Sequence, residues 1–155
     1  MKKHLFLLIL LFISLNFLIS QTRQEIVQGL FRCVESWFDS PYEFGGNKKN
    51  GVDCSAFVSA VYKKVFDIEL PRTVMEQKEL GTLVIDKLQP GDLVFFNIGG
   101  KISHVGIYVF DNKFIHSASQ GLRTGVIKSS LEESYYKERF VFAKRLVKLP
   151  PYKKK

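Results

Sequence analysis

The chain has 155 residues and a mass of 17.8 kDa, enough for one domain with a sizeable core and too short for two large ones. Apolar residues make up 46% and charged residues 25%, proportions that exclude a disordered chain and a collagen-like repeat. The formal charge is +8, but Lys2 and Lys3 fall in a leader and Lys153, Lys154 and Lys155 form a short basic end, so the body is only mildly basic; that diffuse excess does not indicate nucleic acid and suits an anionic environment.

Met1 to Ser20 opens on Lys2-Lys3-His4 and continues in an apolar run from Leu5 to Ile19, broken only by Ser14 and Asn16. This reads as a secretory signal cut after Ser20. As a helix, the 15 residues of the run reach about 23 Å, short of the ~30 Å hydrocarbon core, so no stable membrane insertion is expected after cleavage. The expected product is extracytoplasmic: a domain over 21–149 and a basic tail over 150–155. Cleavage also removes His4 and leaves His104 and His116 as the histidines of the mature chain.

From Gln21 to Phe38, Ile26, Leu30, Cys33, Val34 and Trp37 recur at helical spacing, with Thr22 and Glu25 placed as a capping box. Asp39-Ser40-Pro41 stops this helix, and the stretch through Gly45, Gly46 and Gly51 predicts a loop leading into Asp53-Cys54. Ala56, Phe57, Ala60, Val61, Lys64 and Val65 mark a second helix starting at or just after Cys54, and a short helix is expected from Thr73 to Leu80. After Gln89-Pro90-Gly91-Asp92 the texture turns to β. Strands are expected over Leu93–Phe96, Val105–Phe110, Phe114–Ser117, Gly125–Lys128 and Phe140–Val147. Helices first and strands after argue an α+β fold with a mostly antiparallel sheet.

A cysteine opening a helix after a flexible loop is placed where unpaired N–H groups and the helix dipole favour negative charge, which predicts a lowered thiol pKa for Cys54. A thiolate nucleophile also needs a proton donor for its leaving group, and histidine suits that role near neutrality. The two histidines meet only in one register. A two-residue turn at Asp111-Asn112 would put them on opposite faces, whereas a three-residue loop Phe110-Asp111-Asn112, or an equivalent bulge, pairs His116 with Gly106 and leaves His104 one diagonal step away. The second arrangement is predicted. Cys54 is then the nucleophile, His104 the general base and acid, and His116 the group that fixes its tautomer, with the Cys54 N–H near the oxyanion.

These residues and several others in order resemble the NlpC-type cell-wall cysteine peptidases: Pro41-Tyr42-Glu43-Phe44-Gly45-Gly46, Asp53-Cys54-Ser55, Leu70-Pro71-Arg72-Thr73 with Gln77, Leu88 to Phe96, Ser103-His104-Val105-Gly106-Ile107-Tyr108 and Phe114-Ile115-His116. The resemblance implies a compact papain-like fold and matches Cys54, His104 and His116 to the family's catalytic residues. It places Tyr42 beside the thiol at the oxyanion site, Asp53 and Ser55 at positions that bind a substrate peptide end, and Arg72 as a structural or cleft-edge residue. Ala56 stands where the family usually has glycine. The implied activity is that of a secreted or periplasmic endopeptidase cleaving amide bonds in peptidoglycan stem peptides or cross-links through an acyl-enzyme, with no metal or organic cofactor, as a monomer.

Four other readings are open. Cys33 and Cys54 form a disulfide if Cys33 leaves the apolar face of the first helix. Zinc on Cys54, His104, His116 and Asp53 requires a ligand spacing unlike any compact finger. An amidase or acyltransferase on the same scaffold, or a wall-binding module that keeps the motif unused, completes the set.

Overall fold

The computed structural model of the chain describes residues 23–121 and 123–150. The leader, the Thr22 cap and the terminal lysines lie outside them. A first helix, α1, occupies 23–35 and closes in turns that end at Ser40. Two short strands, β1 (Asn47–Lys48) and β2 (Gly51–Val52), pair across the glycine-rich stretch and lead into α2 (Cys54–Phe66). Asp53 caps α2 by accepting the Ala56 N–H, so the helix begins on Cys54 itself, where the sequence places it.

The short helix α3 (Val74–Gln77) starts as predicted behind Thr73, whose side chain and that of Glu76 form a reciprocal capping box. It stops earlier than Leu80 because the backbone loosens into tighter turns at Glu79 and Leu80. The remaining strands are β3 (Thr82–Leu83), β4 (Leu93–Ile98), β5 (Lys101–Phe110), β6 (Lys113–Ala118), β7 (Gly125–Ser130) and β8 (Phe140–Arg145), with α4 (Ser134–Lys137) between the last two. Their order in the sheet is β3-β8-β4-β5-β6-β7, every neighbour antiparallel.

Strand β5 is longer than expected. Its first residues pair back onto Asn97 and Ile98 around Gly99-Gly100, both at positive φ, the backbone that a tight hairpin with the sheet's twist requires. Alternation along the strands then sorts the core into two layers. Leu93, Phe95, Val105, Ile107, Val109 and Ile115 face Phe57, Val58 and Val61 of α2, while Val94, Phe96, Tyr108 and Phe114 face Tyr136 of α4. Arg145 on β8 ties the loop before β4 through two bonds to Asp92, at 2.8 and 2.7 Å.

The β5–β6 connection combines both turn lengths considered for it. Asp111 and Asn112, at φ 49° and 55°, form a two-residue turn closed by Phe110 and Lys113, and a bulge at Val109 then shifts the register so that Tyr108 meets Phe114 and Ile107 meets Ile115. The bulge is the equivalent of the third loop residue. It brings both histidines to the same face as Phe96 and Phe114. Gly106 fills the position between them, because a Cβ there would lie 2.7 Å from Phe114 Cδ2 and 3.2 Å from His116 Cβ. Gly106→Ala is therefore expected to overpack this layer by about 1–3 kcal/mol and to lower Tm by roughly 3–10 °C. Thermal unfolding checks this, and an unchanged Tm would show that the layer is not closely packed here.

Candidate active site

Asp53 sets the position of Cys54. Its Oδ1 accepts from the Ala56 N–H at 2.8 Å and from Ser55 Oγ at 3.1 Å, and its Oδ2 accepts from the Gly45 N–H at 3.1 Å. Arg72 closes on both oxygens, Nη1 at 3.0 Å and Nη2 at 2.5 Å, and donates from Nη1 to Ser55 Oγ at 3.0 Å. Burial alone pushes the Asp53 carboxyl up, but Arg72, the Ala56 N–H and Ser55 outweigh it and hold the group below its ordinary value. Asp53, Ser55 and Arg72 thus form one clamp at the start of α2. Both Asp53 oxygens are committed to the chain's own donors, whereas the Arg72 side chain is 46% exposed and lines the cleft.

Cys54 is 7% exposed and opens onto a cleft of about 550 Å³ with Tyr42, Phe44, Arg72, Met75 and Ser103 along its walls. Both cysteines are free thiols, which rules out the disulfide. The β5–β6 pairing starts at Ile107 and Ile115, and ahead of it the Val105 N–H is offered to the Cys54 sulfur. The sulfur therefore rests against the backbone one residue beyond His104. The N–H groups of Val105, Ser55 and Cys54 itself favour the thiolate, but burial is the larger effect and the Asp53 charge adds to it, so the thiol is pushed up to about 11. The lowered pKa expected from the helix start is corrected on this point. In the closed site, desolvation of the anion exceeds the stabilisation by the helix tip.

His104 Nε2 lies 2.8 Å from His116 Nδ1, the rings meeting edge to face at 88°. Burial pushes His104 down to about 4 and His116 well below its ordinary value, with His104 adding to the shift of His116. Among the described residues no hydrogen bond joins His104 to Cys54, and His104 Nδ1 is left without a partner. The structure thus joins the two predicted histidines and places the thiol at the neighbouring residue without closing the thiol–imidazole bond, a separation common where such bonds tighten on substrate binding. Tyr42 shares the cleft with Cys54; burial raises its phenol, and the charges of Cys54 and Asp53 raise it further.

Two further residues at the site carry no signal in the sequence. Ser129 Oγ and Tyr136 Oη lie 3.1 and 3.2 Å from His116 Nε2. Neither sits in a motif: Ser129 is a buried polar residue on a strand, and Tyr136 is one aromatic among many.

A model of the NlpC/P60 family matches residues 39–145. The Escherichia coli (strain K12) protein named "Probable endopeptidase NlpC" is 41% identical over 124 residues, covering 78% of this chain and 79% of that protein. "Murein DD-endopeptidase MepS/Murein LD-carboxypeptidase" of the same strain is 42% identical over 138 residues, covering 82% of this chain and 72% of that protein. Among solved structures, an NlpC/P60 family protein from Bacillus cereus aligns with a TM-score of 0.69 at 32% identity over 80% of this chain. This chain spans 40% of the length of that solved chain.

Proposed function

Given that this chain belongs to the NlpC/P60 family, we propose that it is an extracytoplasmic cysteine endopeptidase that hydrolyses amide bonds in the peptides of peptidoglycan. No helix among the described residues is long and apolar enough to cross a membrane. The observation that carries the proposal is the Cys54 sulfur held at the tip of α2 against Val105, next in the chain to a histidine bonded to a second histidine at 2.8 Å.

In the proposed reaction the Cys54 sulfur attacks the scissile carbonyl carbon while the thiol proton passes to His104 Nδ1. The Cys54 N–H and the Tyr42 hydroxyl stabilise the oxyanion. His104 then returns the proton to the leaving amine as the C–N bond breaks, which leaves a thioester on Cys54. A water molecule, deprotonated by the same nitrogen, releases the carboxylic acid and restores the thiol. His116 accepts the His104 Nε2–H throughout and keeps Nδ1 directed at the sulfur. Asp53, Ser55 and Arg72 fix the start of the helix, and Arg72 offers a positive edge to the cleft for a carboxylate of the stem peptide.

The test is mass spectrometry of purified peptidoglycan fragments after incubation with the chain. New amino and carboxyl termini inside the peptides, each pair adding one water, are the expected products. Release of glycan from the peptide or transfer of an acyl group would replace this proposal with the amidase or acyltransferase reading.

A further inference from the structure

Beyond His116 the hydrogen-bond chain continues. Ser129 Oγ on β7 and Tyr136 Oη on α4 both face His116 Nε2, and the two hydroxyls bond one another. His116 is fully buried and Ser129 and Tyr136 nearly so, while the Tyr136 ring packs edge-on against His116 at 5.2 Å and Phe114 at 5.0 Å.

Proton accounting decides what these hydroxyls do. One hydrogen lies between His104 Nε2 and His116 Nδ1. Once His104 has taken the thiol proton on Nδ1, both its nitrogens carry hydrogen, so Nε2 must donate and His116 Nδ1 must be bare. Neutral His116 then carries its own hydrogen on Nε2, pointing at Ser129 and Tyr136. The opposite arrangement, a hydroxyl donating to Nε2, places the His116 hydrogen on Nδ1. That forces the His104 hydrogen onto Nδ1, the nitrogen that takes the thiol proton in the proposed reaction, and removes the base.

We propose that Ser129 and Tyr136 are positioning residues that accept the Nε2–H of His116 and thereby commit His104 to the tautomer in which Nδ1 is the base. The assignment rests on the endopeptidase mechanism proposed above. Ser129 donates its hydrogen to the Tyr136 oxygen, and the phenol directs its own into the adjoining cavity of about 550 Å³, lined by Gln120, Arg123 and Glu133 among others. Because either oxygen can take the His116 hydrogen, each backs up the other.

Two measurements test this. In the full chain, Ser129→Ala and Tyr136→Phe are expected to lower kcat about threefold each and the double variant about a hundredfold, the scale of a buried donor left unpaired. KM stays unchanged, and Ser129→Thr retains parent activity because it keeps the hydroxyl. Nitrogen-15 spectra of the Cys54→Ala chain, with Ser129 and Tyr136 intact, are expected to place the His116 hydrogen on Nε2. A His116 hydrogen found on Nδ1 overturns the proposal, as does a folded double variant with parent kcat. Retained hydrolysis by Cys54→Ala would instead overturn the mechanism, and the tautomer assignment from the spectra would remain a separate result.

Discussion

Cys54→Ala is expected to reduce hydrolysis of peptidoglycan fragments by at least about 10⁴-fold, because removing one member of a nucleophile–base unit removes nearly all that the unit contributes. The loss falls on this thiol alone. Cys33, the other thiol of the chain, lines a separate hollow with Ile26, Gly29 and Val65, and burial raises its pKa. Cys33→Ser therefore leaves turnover at the parent rate and serves as the control. Binding behaves differently. The cleft walls formed by Tyr42, Phe44, Arg72 and Met75 are untouched by loss of one sulfur, so Cys54→Ala still sediments with insoluble peptidoglycan as the parent does. Chromatography of released peptides reads the first effect and sedimentation the second. Turnover above about one per cent in the variant would mean that another group performs the attack.

The features that place the thiol and the histidine pair were legible in the chain because each rests on a local rule. Asp53 stands one residue before Cys54, where a carboxylate caps a helix, and the alternation of β5 and β6 restricts the two histidines to few registers. The bulge was legible only as a requirement: Val109 has no turn residue beside it, and the need for both imidazoles on one face is what implied the extra residue. Gly99-Gly100 closes the hairpin between β4 and β5, and Ile102 and Ser103 ahead of His104 look too mixed in polarity for a strand. Ile102 belongs to β5 because it pairs with Asn97 on β4, and Ser103 is the extra residue where the register shifts before His104 meets Phe96.

What the sequence could not supply was the environment. Tyr136 reaches His116 from α4, whose approach depends on the packing of Phe96 and Phe114, and Ser129 reaches it from β7 as the cross-strand partner of Phe114, a pairing that residue spacing along the chain does not reveal. The thiol's acidity depends on the same long-range packing. A helix start is visible in sequence, whereas the depth at which the sulfur is enclosed between α2 and β5 is not.

That enclosure sets the pH behaviour of His104, whose replacement by alanine is expected to lower kcat about a thousandfold. In the free site burial holds the thiol up at about 11 and the imidazole down at about 4, so at neutral pH both groups are uncharged. The nucleophile is then generated during the reaction, as the proton moves to His104, rather than stored as an ion pair. The sign follows directly. His104 acts as a base only when unprotonated, so kcat/KM of the parent holds as pH falls through 6.5, the ordinary histidine value, and declines as pH approaches 4. Without His104 the thiolate must form by simple titration, and alkylation of Cys54 by iodoacetamide should climb about tenfold per pH unit toward a midpoint near 11. The parent, with its base in place, should lose that steep dependence across neutral pH. A parent acid limb near 6.5, or an alkylation profile in His104→Ala identical to the parent's, would show that the imidazole does not serve this sulfur.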